Sequence, residues 1–203
     1  MVDKYNLDEG YDNNFFDYNN IEQHTLGNFL IPKLIDLFNP TSVLDVGCAA
    51  GGQIEIWRNH NIKAFGVEGS RNAWNIASSF ARQYMRLLDL RDAVENKMFE
   101  DIDLVQSYEV AEHVEEHYAD NYVNVICIHE PKNIIMTAAP PGQSGTYHVN
   151  CQPKQYWIEK ISSKGYTFNQ DKVNQVVSWG IGEERPFPDW WPKNVMVFEK
   201  IIK

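Results

Sequence analysis

Glu109, Glu112 and His113 fall within one five-residue run, E-V-A-E-H. If that run is helical, Glu112 and His113 stand three and four positions beyond Glu109, and all three side chains share a face. Two carboxylates and an imidazole converging on one point suit a divalent cation. Imidazole donors favour transition metals, and carboxylates also serve hard ions such as Mg²⁺. His148, in a later Gly- and Pro-rich loop, is a second imidazole that adjacent strands can bring to the same place. Without a cation, His148 or His113 is the candidate general base, with Glu112 beside it. The same five residues also read as an ordinary helix start. His24, His60, His117 and His129 have no such company and are assigned no chemistry.

A second group of residues suits a nucleotide-like ligand. Thr41 to Gly52 reads T-S-V-L-D-V-G-C-A-A-G-G, an apolar run that breaks into small residues before a segment with helical spacing. A strand, a tight small-residue turn and a helix make a cradle, because small side chains let a ligand approach backbone and helix N–H groups. Ala49 stands where the dinucleotide fingerprint G-x-G-x-x-G has its second glycine, which argues against a nicotinamide enzyme. The next predicted strand ends in Glu68-Gly69-Ser70, 23 residues after Asp45, where an acidic side chain grips ribose hydroxyls. A third predicted strand ends in Asp89-Leu90, which by itself reads as a turn.

The D-V-G-C-A-A-G run resembles motif I of the class I S-adenosylmethionine-dependent methyltransferases. That resemblance implies that Gly47, Cys48, Ala49 and Gly51 pack against the methionine part of the cofactor while Asp45 holds its amino end. It also implies that Asp89 meets the adenine amino group and Leu90 packs on the ring. E-x-x-E-H with a distal histidine resembles the metal-dependent O-methyltransferases, among them small-RNA 2′-O-methyltransferases and catechol-type enzymes of the ubiquinone pathway. On that likeness Glu109, Glu112, His113 and His148 hold a divalent metal, Mg²⁺ or Mn²⁺, that binds two neighbouring hydroxyls of the acceptor, and Glu109 also borders the cofactor. Residues 138–157, A-A-P-P-G-Q-S-G-T-Y-H-V-N-C-Q-P-K-Q-Y-W, resemble a loop and helix of small methyltransferases found among glycan-assembly functions of bacteria and large viruses. The later W-W-P-K-N-V-M-V-F resembles their closing strand. Gln143, Asn150 and Gln152 are neutral groups suited to hydroxyls, and Trp157, Trp179, Trp190 and Trp191 are candidates to stack on a sugar face.

These residues need a scaffold, and the sequence supplies one. Strands are predicted over 42–46, 62–67, 84–88, 103–107 and 133–137, with a closing strand over 195–202. Helices are predicted over 21–38, stopped by Asn39-Pro40, then near 53–60, 71–82 and 118–130, and from Pro153 to Lys164 before Gly165. The alternation implies an α/β fold: a Rossmann-like, mostly parallel sheet with helices on both faces and an antiparallel closing strand. One domain over 1–203 is expected, an N-terminal arm and helix (1–40) before a catalytic core (41–203). Residues 1–20 look irregular, and Tyr11, Phe15, Phe16 and Tyr18 are candidates for a lid.

Composition bounds the partners. The net charge of −10 offers no basic stripe for a phosphate backbone, so nucleic acid is an unlikely partner. No apolar stretch approaches the ~20 residues that cross a bilayer, and no membrane partner is expected. Cys48, Cys127 and Cys151 form no C-x-x-C pair, and the acidic N-terminus is no signal peptide, which points to a reduced, cytoplasmic setting. The expected reaction is methyl transfer from S-adenosylmethionine to a hydroxyl of a small molecule or glycan with vicinal hydroxyls, assisted by a metal. The alternatives are methylation of an RNA 3′ end, metal-free chemistry on a histidine base, and an inactive subunit that binds a partner.

Overall fold

The structure, a computed structural model, describes residues 6–11, 13–180 and 190–202, and for 13–15, 17–20 and 22 the backbone alone. Five parallel strands, β1 (Ser42–Val46), β2 (Lys63–Glu68), β3 (Met85–Leu87), β4 (Leu104–Tyr108) and β5 (Asn133–Thr137), form most of one sheet. Two more, β6 (Tyr166–Phe168) and β7 (Met196–Lys200), complete the order β3-β2-β1-β4-β5-β7-β6, with β7 antiparallel to both neighbours. This is the expected mostly parallel sheet with an antiparallel closing strand.

Every residue of β1 is buried, because helices cover both faces of the sheet and alternation carries no benefit there. Leu44 and Val46 face one core with Val105, Ile134 and Met136, packed under α6 (Ala119–Cys127) and α7 (Lys154–Ser162). Val43, Ile135 and Val197 face the other, under α2 (Asn13–Phe38), α3 (Gly52–Asn59) and α8 (Gln170–Ser178). Since β1 lies between β2 and β4, and β4 beside β5, the loops that leave their carboxyl ends meet along one edge. No helix of the described residues is long and apolar enough to cross a membrane.

Several expectations are corrected. The arm is not irregular: α1 (Leu7–Gly10) is capped by the Asn6 side chain, and α2 begins at Asn13 rather than Ile21. Its first turns are Asn- and Asp-rich, and their apolar residues keep no stripe from which a helix can be read. The segment near 71–82 divides into α4 (Arg71–Ile76) and α5 (Ser79–Arg82), because Ser78 turns back to cap Ala81 N–H. Both β6 and α8 went unpredicted; β6 is three residues long and α8 is largely polar. The side chains of Phe15 and Tyr18, and residues 181–189, lie outside the described residues.

Candidate active site

The cradle after β1 folds as its small residues allow. Gly47 has φ +78°, and a Cβ there would come 2.5 Å from Val110 Cγ2. Ala49 adopts φ +46°, a conformation that a glycine reaches at lower cost. Glu68, at the end of β2, accepts hydrogen bonds from Ala49 N–H and Ser70 N–H, each at 2.8 Å, and so ties the two turns together. Burial raises the pKa of Glu68 against those bonds.

A cavity opens beside this carboxylate. Its wall takes Gly47 and Ala49 from the cradle, Glu68 to Ser70, Asp89 and Leu90, and Tyr108 to Val110 with His113. Leu7, Tyr11, Phe16 and Gln23 roof it from the arm and α2, so Tyr11 and Phe16 stand where a lid was expected. Gly47, Ala49, Glu68, Gly69, Ser70, Asp89, Leu90 and Glu109, all expected at the cofactor, therefore meet at one cavity. Three others do not face it. Cys48 is fully buried in the core, Gly51 caps α3 against Ala81 and Met85, and Asp45 is 5% exposed within β1. Burial lifts the Asp45 carboxyl to about 7, a hydrogen bond from Gln106 opposes the shift, and the Glu68 charge adds to it.

Asp89 lines the cavity but its carboxylate is engaged. Arg91 donates from Nε at 2.9 Å and from Nη2 at 2.8 Å to its two oxygens, and from Nη1 to Glu115 at 3.1 Å. The expected contact of this carboxylate with an adenine amino group competes with that pairing.

The second constellation differs in detail from its expectation. E-V-A-E-H is not α-helical: Glu109 has φ +52°, and a single 3₁₀ turn covers Ala111–His113. Glu109 therefore does not share a helix face with the others. Its carboxylate accepts from Gln143 Nε2 at 2.6 Å and from Asn194 Nδ2 at 3.0 Å. Glu112, His113 and His148 do converge, each with one ligand atom within 4.8 Å of the others. His148 reaches the turn because Val149 N–H and Asn150 N–H both donate to the Glu112 carbonyl, at 3.0 and 2.9 Å.

Glu112 is fully buried, and neither carboxylate oxygen has a hydrogen-bond partner among the described residues. Burial pushes its pKa well above the carboxylate range, and the nearby Glu109 charge pushes it further. Left alone such a group takes up a proton, and only a cation beside it would hold it ionised. His148 Nε2 lies 3.9 Å from Glu112 Oε1, while its Nδ1 is 3.0 Å from the Gln143 carbonyl. A carbonyl only accepts, so this contact places the proton on Nδ1 and the lone pair on Nε2, toward Glu112, as a metal-binding imidazole requires. Burial, with the neighbouring His148, lowers His113 to about 4, so it is neutral at physiological pH. A base that weak is better suited to ligation than to proton abstraction.

The expected acceptor contacts are redistributed. Gln143 holds Glu109, and Gln152 donates to Asn150 Oδ1 at 2.9 Å. Trp191 is fully buried against Tyr108, their ring centroids 4.8 Å apart, and Trp157 is fully buried too, so neither stacks on a ligand. Their indoles fill the space between sheet and helices, which is why Trp is so often a core residue. Trp179 and Trp190 pack partly buried on the second core. Sequence reasoning missed Gln23, Tyr108 and Asn194. Gln23 Oε1, Tyr108 Oη and Asn194 Oδ1 are buried without partners among the described residues, and the first two belong to residues of the cavity wall. Tyr108 directly precedes the E-V-A-E-H run, the one signal that pointed to it.

The same architecture recurs among solved structures. The methyltransferase domain of bacterial CtHen1-C aligns over 89% of this chain and 100% of its own, at 18% identity and a TM-score of 0.60. The chain has the class I methyltransferase fold. The sugar N-methyltransferase KedS8 from Streptoalloteichus sp ATCC 53650 covers 87% of each chain at 13% identity and a TM-score of 0.61. Magnesium protoporphyrin IX methyltransferase (ChlM) from Synechocystis PCC 6803 with bound SAH covers 90% of this chain and 84% of its own, at 13% identity and a TM-score of 0.59. No protein-family model matches the sequence, and neither does any curated protein. At such identities the methyltransferase fold is common ground, and the chemistry must be argued from the site.

Proposed function

We propose that this chain transfers a methyl group from S-adenosylmethionine to a hydroxyl of a sugar or glycan that carries vicinal hydroxyls, with a divalent metal held at Glu112, His113 and His148 and bordered by Glu109. The observation that carries this reading is the buried carboxylate of Glu112, without a hydrogen-bond partner among the described residues and facing His148 Nε2 at 3.9 Å, one residue from the His113 that also lines the cavity. A carboxylate with two imidazoles suits Mn²⁺ better than Mg²⁺, which prefers oxygen.

The cofactor supplies an activated sulfonium methyl, and a divalent ion makes a hydroxyl more acidic and orients its neighbour. This chain's own residues do the rest. Glu68 stands where a ribose presents its hydroxyls, and Leu90 offers an apolar surface for the adenine. Tyr108 and Gln23 bring to the same wall polar atoms that have no hydrogen-bond partner among the described residues. Gln143 and Asn194 fix the Glu109 carboxylate, and the Gln143 carbonyl fixes the His148 ring. Alignment of this kind contributes about 7–11 kcal/mol in well-oriented reactions, against about 10²–10⁴-fold from a positioned base. His148 Nε2 has one lone pair, which serves a cation or a proton but not both at once. The net charge of −10 favours a neutral glycan over a long polyanion as acceptor.

Calorimetric titration of S-adenosylhomocysteine with Mn²⁺ and then with EDTA, followed by a methyl-transfer screen on glycans and small diols, tests the reading. Binding together with EDTA-sensitive turnover supports it. Turnover indifferent to EDTA moves His148 to the role of a base and removes the metal. Absence of S-adenosylhomocysteine binding overturns the reading altogether.

A further inference from the structure

Tyr11 belongs to two sites at once. Its ring roofs the cavity beside Glu68, and its hydroxyl lies 2.7 Å from His113 Nδ1. It is 6% exposed although it sits in the short arm that precedes α2. The arm is fastened to the cofactor side of the molecule. Asp8 accepts from Ser70 Oγ at 2.9 Å and from Arg71 N–H at 2.7 Å, and Asn72 Nδ2 donates to the carbonyls of Asp8 and Tyr11 at 2.9 and 2.8 Å. On its other side the Tyr11 ring meets His113 edge-on and Tyr147 at a tilt, with centroids 5.6 Å away in each case.

The His113 nitrogen that Tyr11 approaches also lies 3.2 Å from the Tyr147 carbonyl. A phenolic hydroxyl both donates and accepts, so the Tyr11 contact is a hydrogen bond in either tautomer of the ring. The two contacts meet at one nitrogen and bear on the ring plane of His113. One of them comes from the arm that covers the cavity, the other from the loop that carries His148.

We propose that Tyr11 is a positioning residue that makes closure over the cofactor and the setting of His113 a single event. This rests on the reading of the cavity as the S-adenosylmethionine site. Linkage requires the effect to run both ways: a ligand that holds the arm down sets His113, and a ligand that holds His113 tightens the cofactor.

The experiment follows the His113 imidazole signal by NMR at one fixed pH, assigned with His113→Asn, while S-adenosylhomocysteine is added. In the unsubstituted protein the signal shifts as the ligand binds. Tyr11→Phe keeps the ring and removes the hydroxyl. It should bind S-adenosylhomocysteine within about threefold of the unsubstituted protein, keep only the part of the His113 shift that the adjacent ligand causes directly, and lower kcat about tenfold with little change in the cofactor KM, as loss of one hydrogen bond predicts. Asp8→Asn loosens the arm while sparing Tyr11, and should weaken ligand binding and the His113 shift together. A Tyr11→Phe variant whose His113 signal moves as far on ligand addition as that of the unsubstituted protein overturns the proposal. So does a Tyr11→Phe variant that loses ligand affinity as severely as Tyr11→Leu, since Tyr11 would then be cavity wall and nothing more. Should the unsubstituted protein bind no S-adenosylhomocysteine, the cofactor reading fails first and takes this inference with it.

Discussion

Arg91 holds both carboxylate oxygens of Asp89 and reaches on to Glu115, two residues past His113, so one buried guanidinium spans the cavity wall and the segment that carries the candidate metal ligands. Its side chain is 5% exposed, against 24% for Asp89 and 18% for Glu115. Removing one partner of a fully buried pair costs about 3–5 kcal/mol, because the other charge is left behind. Partial exposure of both carboxylates brings the expected loss for Arg91→Met to about 2 kcal/mol. Urea unfolding measures it, and a loss under about 0.5 kcal/mol would show that the pairs add nothing beyond ordinary surface ones.

Ala49 is the one residue of the cradle that departs from the glycine pattern, and its φ of +46° shows why glycine suits the position. A left-handed conformation costs a non-glycine residue about 1–2 kcal/mol. Ala49→Gly removes that cost but frees the unfolded chain, which leaves a net gain of about 0.5–1 kcal/mol. For a domain of this size the melting temperature should rise about 2–3 °C. A fall instead would mean that the Ala49 methyl, buried beside Tyr11 and Phe16, contributes more by packing than the backbone loses by strain.

Much of this was legible in the sequence, and the failures share a cause. The apolar runs at 42–46 and 133–137 announced their strands because both faces of the sheet are covered. Glu68 was placed by the end of its predicted strand and its distance from Asp45, and it meets the cradle backbone. The convergence of Glu112, His113 and His148 was legible in E-V-A-E-H and its distal histidine, but the local conformation was not. Spacing gave helix geometry, whereas a left-handed Glu109 swings its carboxylate to Gln143 and Asn194, residues 34 and 85 positions away. The partners of Asp89 and Trp191 were invisible for a related reason. An acidic side chain after a strand reads the same whether it meets a ligand or an arginine, and a tryptophan reads the same in a core or at a mouth. Tertiary neighbours decide such cases. The arm was misjudged because its docking rests on hydrogen bonds that Asp8 accepts and Asn72 donates, which leave no periodicity.

Asp45 gives the protein a stability that falls as the pH rises. Its carboxyl titrates near 7 in the folded chain against 3.8 in the unfolded reference, chiefly through burial. The folded state therefore favours the protonated form. That contribution to stability is complete below the unfolded value and is lost as the pH rises through the folded one. Asp45→Asn mimics the protonated form and escapes the loss. Its melting temperature should match the unsubstituted protein below pH about 4 and exceed it by several degrees above pH about 7. An advantage of equal size across that range would mean that Asp45 does not titrate within it.

Gly145 tests the loop that delivers His148. A Cβ built there would lie 2.1 Å from His148 Nε2 and 2.5 Å from Cδ2 and Cε1, so an alanine drives the ring from its place. The position is exposed and far from either core, and the fold should survive the change. The Glu68 side of the cavity is untouched, so S-adenosylhomocysteine should bind Gly145→Ala as it binds the unsubstituted protein. Turnover should fall about a hundredfold, the effect of a misplacement near 1 Å at a reacting centre. If His148 is a metal ligand, Mn²⁺ affinity falls with turnover; if it is a base, turnover falls alone. Unchanged turnover would place His148 outside the chemistry and leave Glu112 and His113 to account for it.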